Sequence, residues 1–424
     1  PKASSPRARR LSGGRVPRRG RTVPLGDVDR FLSPTGRSLK VSAIRRMGTV
    51  AAPHPDVISF AAGYPAADLF PLDELRAIAD DLLTGPPDVI QYGPTGGYAP
   101  LLEALAGEMA RRHVTVSAEE LLITTGSQQG LDLIARVLVA PGDAVLVEAP
   151  TFTGALAASA NARPRWLAGV RQDADGLDLD DLARVTARLR REGTPPKLLY
   201  VVPNFQNPTG KLLPQDRRLA LLAWAEEQDC LIVEDDPYGA LYFEGEASPD
   251  AVRPLKAADE SGRVLYLSSF SKTLAPGFRV GWMVAPAPLV ERLETAKETG
   301  DLASGSLDQR MAFEAMRRGV VDRLVPRLRA TYRARRDALV ASLRSKLEGR
   351  LSWTLPHGGF FLWATLPEGE RDESLLARAL EERLIFVSGS AFFVDGSGHD
   401  TIRLAFSAAP ESLIDEGVAR LARA

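Results

Sequence analysis

Four polar stretches of the chain carry residues that a plain connecting loop does not need. Thr124-Thr125-Gly126-Ser127-Gln128-Gln129-Gly130 turns on a glycine and then begins a helical pattern. Free backbone N–H groups at such a helix start suit a phosphate, although Ser127 could equally be only a helix cap. Pro203-Asn204-Phe205-Gln206-Asn207-Pro208-Thr209-Gly210 follows an apolar run. Its Pro and Gly fix a turn, which is all it need be, while Asn207 offers a rigid amide donor. Glu234-Asp235-Asp236-Pro237-Tyr238 sets carboxylates at the end of another apolar run. Burying such acids is costly unless something cationic meets them. Ser268-Ser269-Phe270-Ser271-Lys272 leads through Pro276-Gly277-Phe278 to Arg279 and a further apolar run. A lysine just past an apolar strand stands out in a protein this rich in arginine, and Arg279 is placed to point inward. Read alone, the same stretch could be a surface loop with both cations in water.

Chemistry of this kind gathers in loops at the carboxyl ends of strands in an α/β sheet, and the apolar runs supply such a sheet. Strands are expected at 121–124, 144–148, 197–202, 231–234, 264–268 and 280–284, with helices at 127–139 and 219–228. The strands are short, nearly all apolar and often separated by helical patterns, the signature of a mostly parallel sheet covered on both faces. Ahead of them lie a loop-rich stretch, 36–71, an amphipathic segment, 72–83, and Gln91-Tyr92-Gly93-Pro94-Thr95-Gly96-Gly97-Tyr98. That Gly/Pro-rich loop needs an unusual backbone path or close contact with something. Beyond the strands, 289–344 reads as largely helical and 353–424 as a smaller α+β domain.

The chain has 424 residues, 45% of them hydrophobic, enough for a large core and roughly two domains. A net charge of -1 gives no reason to expect nucleic acid or an acidic membrane as the main partner. Cys230 is the one cysteine, so an internal disulfide is excluded, and its place at the head of Leu231-Ile232-Val233 marks it as core. His54, His113, His357 and His399 are far apart, and no metal-binding spacing is present. No apolar stretch approaches the ~20 residues that span a bilayer. Residues 1–22 are rich in Arg, contain no acid and lack the apolar core of a secretory signal. They read as a solvated arm, with a nucleic-acid tail as the other reading, and a cytoplasmic protein is the expectation.

Together and in this order, Gln91-Tyr92-Gly93, Gly126-Ser127-Gln128-Gln129, Gln206-Asn207-Pro208-Thr209-Gly210, Asp235 with Tyr238, Ser269-x-x-Lys272 with Arg279, and Arg403 in Thr401-Ile402-Arg403-Leu404 resemble the class I aminotransferases of pyridoxal-phosphate fold type I. Within that family the likeness is to the subgroup of 2-aminoadipate, kynurenine and aromatic aminotransferases, and it runs from about residue 42 to the C-terminus. The resemblance implies an α/β fold: a large domain with a mixed, mostly parallel sheet flanked by helices, and a smaller α+β domain. It divides the chain into a basic disordered arm (1–40), a segment packing with the small domain (41–70), the large cofactor-binding domain (71–300), and an interdomain helix with the small domain (301–424).

The same resemblance implies pyridoxal 5'-phosphate as cofactor, held by Lys272 as a Schiff base, with the freed lysine amine later moving a proton. Asp235 is expected to face the pyridine nitrogen and keep the ring protonated. Tyr238 and Asn207 are expected at the ring oxygen beside the attachment point. Ser127, Gln128, Ser269 and Arg279 are expected on the phosphate, Phe152 against the ring face, and Tyr92 on the phosphate of a neighbouring subunit, which makes a homodimer with shared sites. Arg403 is expected to bind the substrate carboxylate, and Asn207 is expected to contact the substrate as well as the cofactor. For the substrate side chain the candidates are Arg45, Gly63 and Tyr64. The family commonly has Gly-Leu-Pro where this chain has Gly63-Tyr64-Pro65, and Pro-Gly where it has Ser388-Gly389. With Tyr64, Phe152 and Phe205 near the site, an aromatic amino acid is the first expectation and a dicarboxylate such as 2-aminoadipate, met by Arg45, the second; a 2-oxo acid is the acceptor. Another reaction on the same cofactor (oxidase, decarboxylase or lyase) and a non-catalytic sensor are the competing readings, because fold does not fix function.

Overall fold

Each apolar run expected as a strand forms one, and the polar stretches leave from their ends. The computed structural model describes residues 28–39 and 56–424. Contacts divide the chain into two compact units, 1–39 and 40–424. In the first, a turn of 3-10 helix at Val28–Phe31 precedes the short helix Pro34–Ser38, capped by the Ser33 hydroxyl, which accepts from the Gly36 N–H at 3.0 Å. The expected arm at 1–22 lies outside the described residues.

Among its described residues the second unit holds three sheets. The largest contains β2 (Leu121–Thr124), β3 (Ala144–Ala149), β4 (Trp166–Asp173), β5 (Gly176–Leu177), β6 (Pro196–Val201), β7 (Leu231–Asp235), β8 (Val264–Ser269) and β9 (Gly281–Val284), in the order β2-β9-β8-β7-β6-β3-β4-β5. Strands β3, β4, β6, β7 and β8 are parallel, β9 runs antiparallel to both β2 and β8, and β5 folds back on β4. The smaller sheets pair β1 (Ile58–Ser59) with β12 (Leu384–Ile385), and order β10 (Ser352–Trp353), β11 (Phe361–Thr365), β13 (Val387–Ser388) and β14 (Thr401–Ala405) as β10-β11-β14-β13. The β1–β12 pairing ties the segment before residue 60 to the C-terminal part of the chain.

Alternation along the central strands divides the core into two layers. In β3, Ala144 and Leu146 pack with Leu182, Val185, Leu189 and Leu221 from the helices Leu179–Arg191 and Gln215–Gln228. Val145 and Val147 face the opposite layer, with Leu131 and Ile134 of the helix Ser127–Leu138. The helix Leu179–Arg191 has acids in its first turn, arginines in its last, and Asp178 capping the N–H groups of Asp180 and Asp181, which suits the helix dipole. That helix, the helices Ala99–Arg111 and Thr153–Asn161, and the strand β4 lie outside the elements expected from sequence. β4 alternates in exposure along its length, so it lacks the unbroken apolar run that marks its neighbours. Among the described residues no helix is long and apolar enough to cross a membrane.

The same alternation sorts the acids at the end of β7. Glu234 and Asp236 fall on one side and Asp235 on the other. Glu234 is fully buried and accepts the backbone N–H groups of Leu255 and Lys256 at 2.8 and 2.9 Å. Asp236 accepts from Arg112 (2.6 Å), Asn204 (2.9 Å), Tyr266 (3.1 Å) and the Gly239 N–H (2.9 Å). Burial works against the Arg112 charge, and Asp236 more than offsets it, holding the guanidinium above its ordinary range. This network pins the loop after β7 to the neighbouring strands. We predict that Asp236→Ala, which strands Arg112, lowers the stability of the apoprotein by about 3–5 kcal/mol, measured by urea unfolding; a change below about 1 kcal/mol contradicts the structural role given to this acid.

Candidate active site

Strands β2, β6, β7 and β8 end at one edge of the large sheet, and β9, because it runs the other way, begins there. That reversal brings Arg279, two residues before β9, to the edge where β8 releases the loop to Lys272. Between them is a cavity of about 420 Å3, lined by Ser127, Gln128, Phe152, Asn207, Asp235, Tyr238, Ser269, Lys272 and Arg279 from the large sheet's loops. Gly63, Tyr64, Phe361 and Arg403 close its other side. A larger cavity, about 590 Å3, opens behind the Lys272 loop and is lined by none of Lys272, Arg279 or Arg403.

The helix Ser127–Leu138 enters from Gly126 at φ 77 with no side-chain cap, so Ser127 is not the cap that it could have been. Its hydroxyl is buried, lies close enough to Asp235 to help lower that carboxyl, and has no partner of full hydrogen-bond geometry. A Cβ on Gly126 would lie 2.6 Å from Arg279 Nη2, so the absent side chain lets the guanidinium approach the turn. Arg279 donates to Ser271 Oγ (3.3 Å) and to the carbonyls of Pro276 (3.1 Å) and Thr125 (3.4 Å). A helix start, an open hydroxyl and an arginine fork together form an anion cup.

Asp235 is 3% exposed, and its Oδ2 accepts the Tyr200 hydroxyl at 2.9 Å while Oδ1 has no partner. Burial pushes this carboxyl up to about 7, opposed by the Tyr200 hydrogen bond and aided by the charge of Asp236. Burial draws Lys272 down to about 8, helped by Arg403 and Arg279 and opposed by Asp235. Its Nζ donates to the Gly63 carbonyl at 3.2 Å. Burial also raises the phenol of Tyr238, which packs edge-on against Phe361.

Arg403 sits in the middle of β14, between Trp363 of β11 and Val387 of β13. It is 1% exposed, and burial lowers it to about 9. Its Nη1 donates to Asn207 Oδ1 at 2.9 Å, its Nη2 to the Ala61 carbonyl, and its Nε is unpartnered. The guanidinium lies 4.2 Å from the ring centroid of Phe361 and 5.0 Å from that of Phe392. No carboxylate among the described residues pairs with it.

The structure thus gathers Lys272, Asp235, Tyr238, Asn207, Ser127, Gln128, Phe152, Ser269, Arg279, Arg403, Gly63 and Tyr64 around one cavity. Tyr64 is 62% exposed, so it stands at the rim. Tyr92 is 83% exposed and borders a different cavity with Gly93 and residues 303–308, apart from Lys272 of its own chain. Arg45 lies outside the described residues. Two lining residues, Tyr200 and Phe361, were missed by the sequence reading; both sit inside strands where an aromatic reads as core. The only available signal was a phenol in β6, two residues before the turn that starts at Val202.

These groups fit pyridoxal 5'-phosphate. The cavity offers an amine for its aldehyde, an open buried carboxylate oxygen for its ring nitrogen, and an anion cup for its phosphate. Three cations, Lys272, Arg279 and Arg403, stand against the single carboxylate of Asp235, so the site favours ligands that bring negative charge.

The family model described as Aminotransferase class I and II matches residues 55–421. The aromatic-amino-acid aminotransferase 1 of Thermococcus litoralis is 39% identical over 94% of this chain and 95% of its own length. The 2-aminoadipate transaminase of Thermus thermophilus is 40% identical over 95% of this chain and 98% of its own. Among solved structures, the kynurenine aminotransferase of Pyrococcus horikoshii, in complex with PMP, superposes with a TM-score of 0.89 at 38% identity, covering 94% of this chain and 98% of that one.

A lysine drawn down to about 8 is deprotonated at pH values where ordinary lysines stay charged. Reductive methylation of the apoprotein followed by peptide mapping should therefore label Lys272 with a midpoint near pH 8, about two units below the exposed lysines. Labelling in step with the exposed lysines contradicts this.

Proposed function

Given that the chain belongs to the class I and II aminotransferases and is a pyridoxal-phosphate-dependent transaminase, we propose that Lys272 carries the cofactor and that the donors are L-amino acids, aromatic ones first and 2-aminoadipate second. The observation that carries this is the meeting, in one cavity, of a lysine of lowered pKa, an open buried carboxylate and a buried arginine with no acid partner. The cofactor, when bound, supplies an electron sink for the pair left behind as a proton leaves the substrate α-carbon. Lys272 Nζ, which burial makes easier to deprotonate than an ordinary lysine, would take that proton and return it on the cofactor side. Asp235 Oδ1, unpartnered at the cavity wall, would hold the proton on the ring nitrogen. Asn207 Oδ1 accepts from Arg403, which leaves its amide N–H groups free, and they and the Tyr238 hydroxyl, both residues lining the cavity, would hold the ring oxygen. Ser127, Gln128, Ser269 and Arg279 would hold the phosphate, and Phe152 would cover a ring face.

Arg403 receives the α-carboxylate. A buried guanidinium without a counter-ion binds one more strongly than an exposed one does, because burial has already removed its water. Phe361 and Tyr64 supply aromatic surface near it. The names of the relatives, which include aromatic, 2-aminoadipate and kynurenine aminotransferases, support this donor class. Exposed Tyr92 and Ile90 support a homodimer in which each Tyr92 reaches the partner's phosphate cup.

The half-reaction tests the proposal. A single aromatic amino acid, with no acceptor present, should bleach the visible absorption of the holoenzyme and release one equivalent of the matching 2-oxo acid per site. Release of carbon dioxide or ammonia instead points to a different reaction. Lys272→Ala should remain folded and lose at least about 10^3-fold in turnover, on the scale of a removed acid–base and nucleophilic group; near-normal turnover overturns the assignment.

A further inference from the structure

The Tyr200–Asp235 contact has no counterpart among the groups given roles above. Tyr200 lies on β6 in register with Val233 of β7, one residue out from Glu234. Alternation therefore places its side chain on the same sheet face as Asp235. Its ring is 3% exposed, and its hydroxyl makes the hydrogen bond to Asp235 Oδ2 at 2.9 Å; among the described residues the Ser127 hydroxyl is a second, weaker donor beside the same carboxyl, and Oδ1 has no partner of full geometry. A carboxylate held through one oxygen by a rigid, two-torsion side chain is restrained, and the other oxygen is left open in a residue that lines the cavity.

We propose that Tyr200 is a positioning residue for the cofactor: it holds Asp235 through Oδ2 so that Oδ1 meets the ring nitrogen, and keeps the shared proton on the ring rather than on the acid. The inference rests on the reading of the site as a pyridoxal-phosphate site. A hydroxyl donor stabilises the ionised carboxylate and makes it a weaker base, so the proton between acid and ring stays on nitrogen. The other acids near by cannot do this. Glu234 and Asp236 use their oxygens on the opposite side of the strand, on Leu255, Lys256, Arg112, Asn204 and Gly239.

The neighbouring strand offers a matched control. Tyr266 on β8 is an equally buried phenol that donates to Asp236, not Asp235. The experiment measures the dissociation constants of pyridoxal phosphate and of its 1-deaza analogue, which has carbon in place of the ring nitrogen, for wild type, Tyr200→Phe and Tyr266→Phe. Tyr200→Phe should weaken pyridoxal phosphate about tenfold, the size of a lost hydrogen bond to a charged group, and leave the analogue nearly unchanged. Tyr266→Phe should leave the ratio of the two constants at the wild-type value. In ring-15N-labelled cofactor on Tyr200→Phe, the nitrogen signal should move towards the unprotonated position. Equal weakening of both ligands, or no weakening, overturns the proposal. Should Tyr200→Phe not fold, 3-fluorotyrosine at position 200 keeps the ring and changes only the donor's acidity; an unmoved ratio there overturns it as well. Failure of wild type to bind pyridoxal phosphate would count against the cofactor site itself, a result distinct from either.

Discussion

A carboxylate buried at the end of a central strand, with one oxygen left unpaired, is a standing cost that the fold does not relieve by itself. Asp235 is in that position, and it is the only one of three consecutive acids so left. Glu234 and Asp236 have their charges met by backbone N–H groups, an arginine and an amide on the far side of the strand. Removing water from a charge and withholding a partner is worth several kcal/mol, so the arrangement makes sense only with a cation that arrives from outside. A protonated pyridine is such a cation. Burial raises both Glu234 and Asp235 to about 7, so what sets Asp235 apart is its open oxygen facing the cavity.

The opposite imbalance sits across the cavity. Arg403 is buried in the small sheet among aromatic rings, its charge unmatched by any acid in the described chain. It reaches Asn207 of the large sheet's loop, so the two sheets meet through one hydrogen bond at the centre of the site. A substrate carboxylate entering here would satisfy the arginine and draw the sheets' loops together, a route from binding to closure of the site. The protein leaves a positive hole for the substrate and a negative one for the cofactor, and the separation of the two sets the direction in which a ligand lies.

Much of this could be read from the chain because the physics is local. Lys272, Asp235, Asn207 and Ser127 each follow an apolar run, and a polar residue released from a strand end is conspicuous. Arg279 was legible as a residue, but its place beside Ser127 on the phosphate came from the family resemblance and not from the local pattern, since it depends on β9 running against β8, and nothing in Gly281-Trp282-Met283-Val284 announces that direction. Tyr200 and Phe361 were hidden because an aromatic inside a strand looks like packing, and only the pairing register shows which face it takes. Arg403 needed the family pattern: an arginine in a short strand is as readily an edge residue, and its burial comes from the sheet around it. β4, half exposed, and the charged helix Leu179–Arg191 escaped for the opposite reason, having too little apolar contrast to stand out.

The proposed chemistry depends on which lysine holds the cofactor. The most direct measurement is to load the protein with pyridoxal phosphate, reduce it with borohydride to fix the attachment, and map the modified peptide by mass spectrometry. The phosphopyridoxyl group should be found on Lys272, in stoichiometric amount and on no other lysine. A modified peptide from elsewhere in the chain, or none, would contradict the assignment on which the proposed chemistry is built.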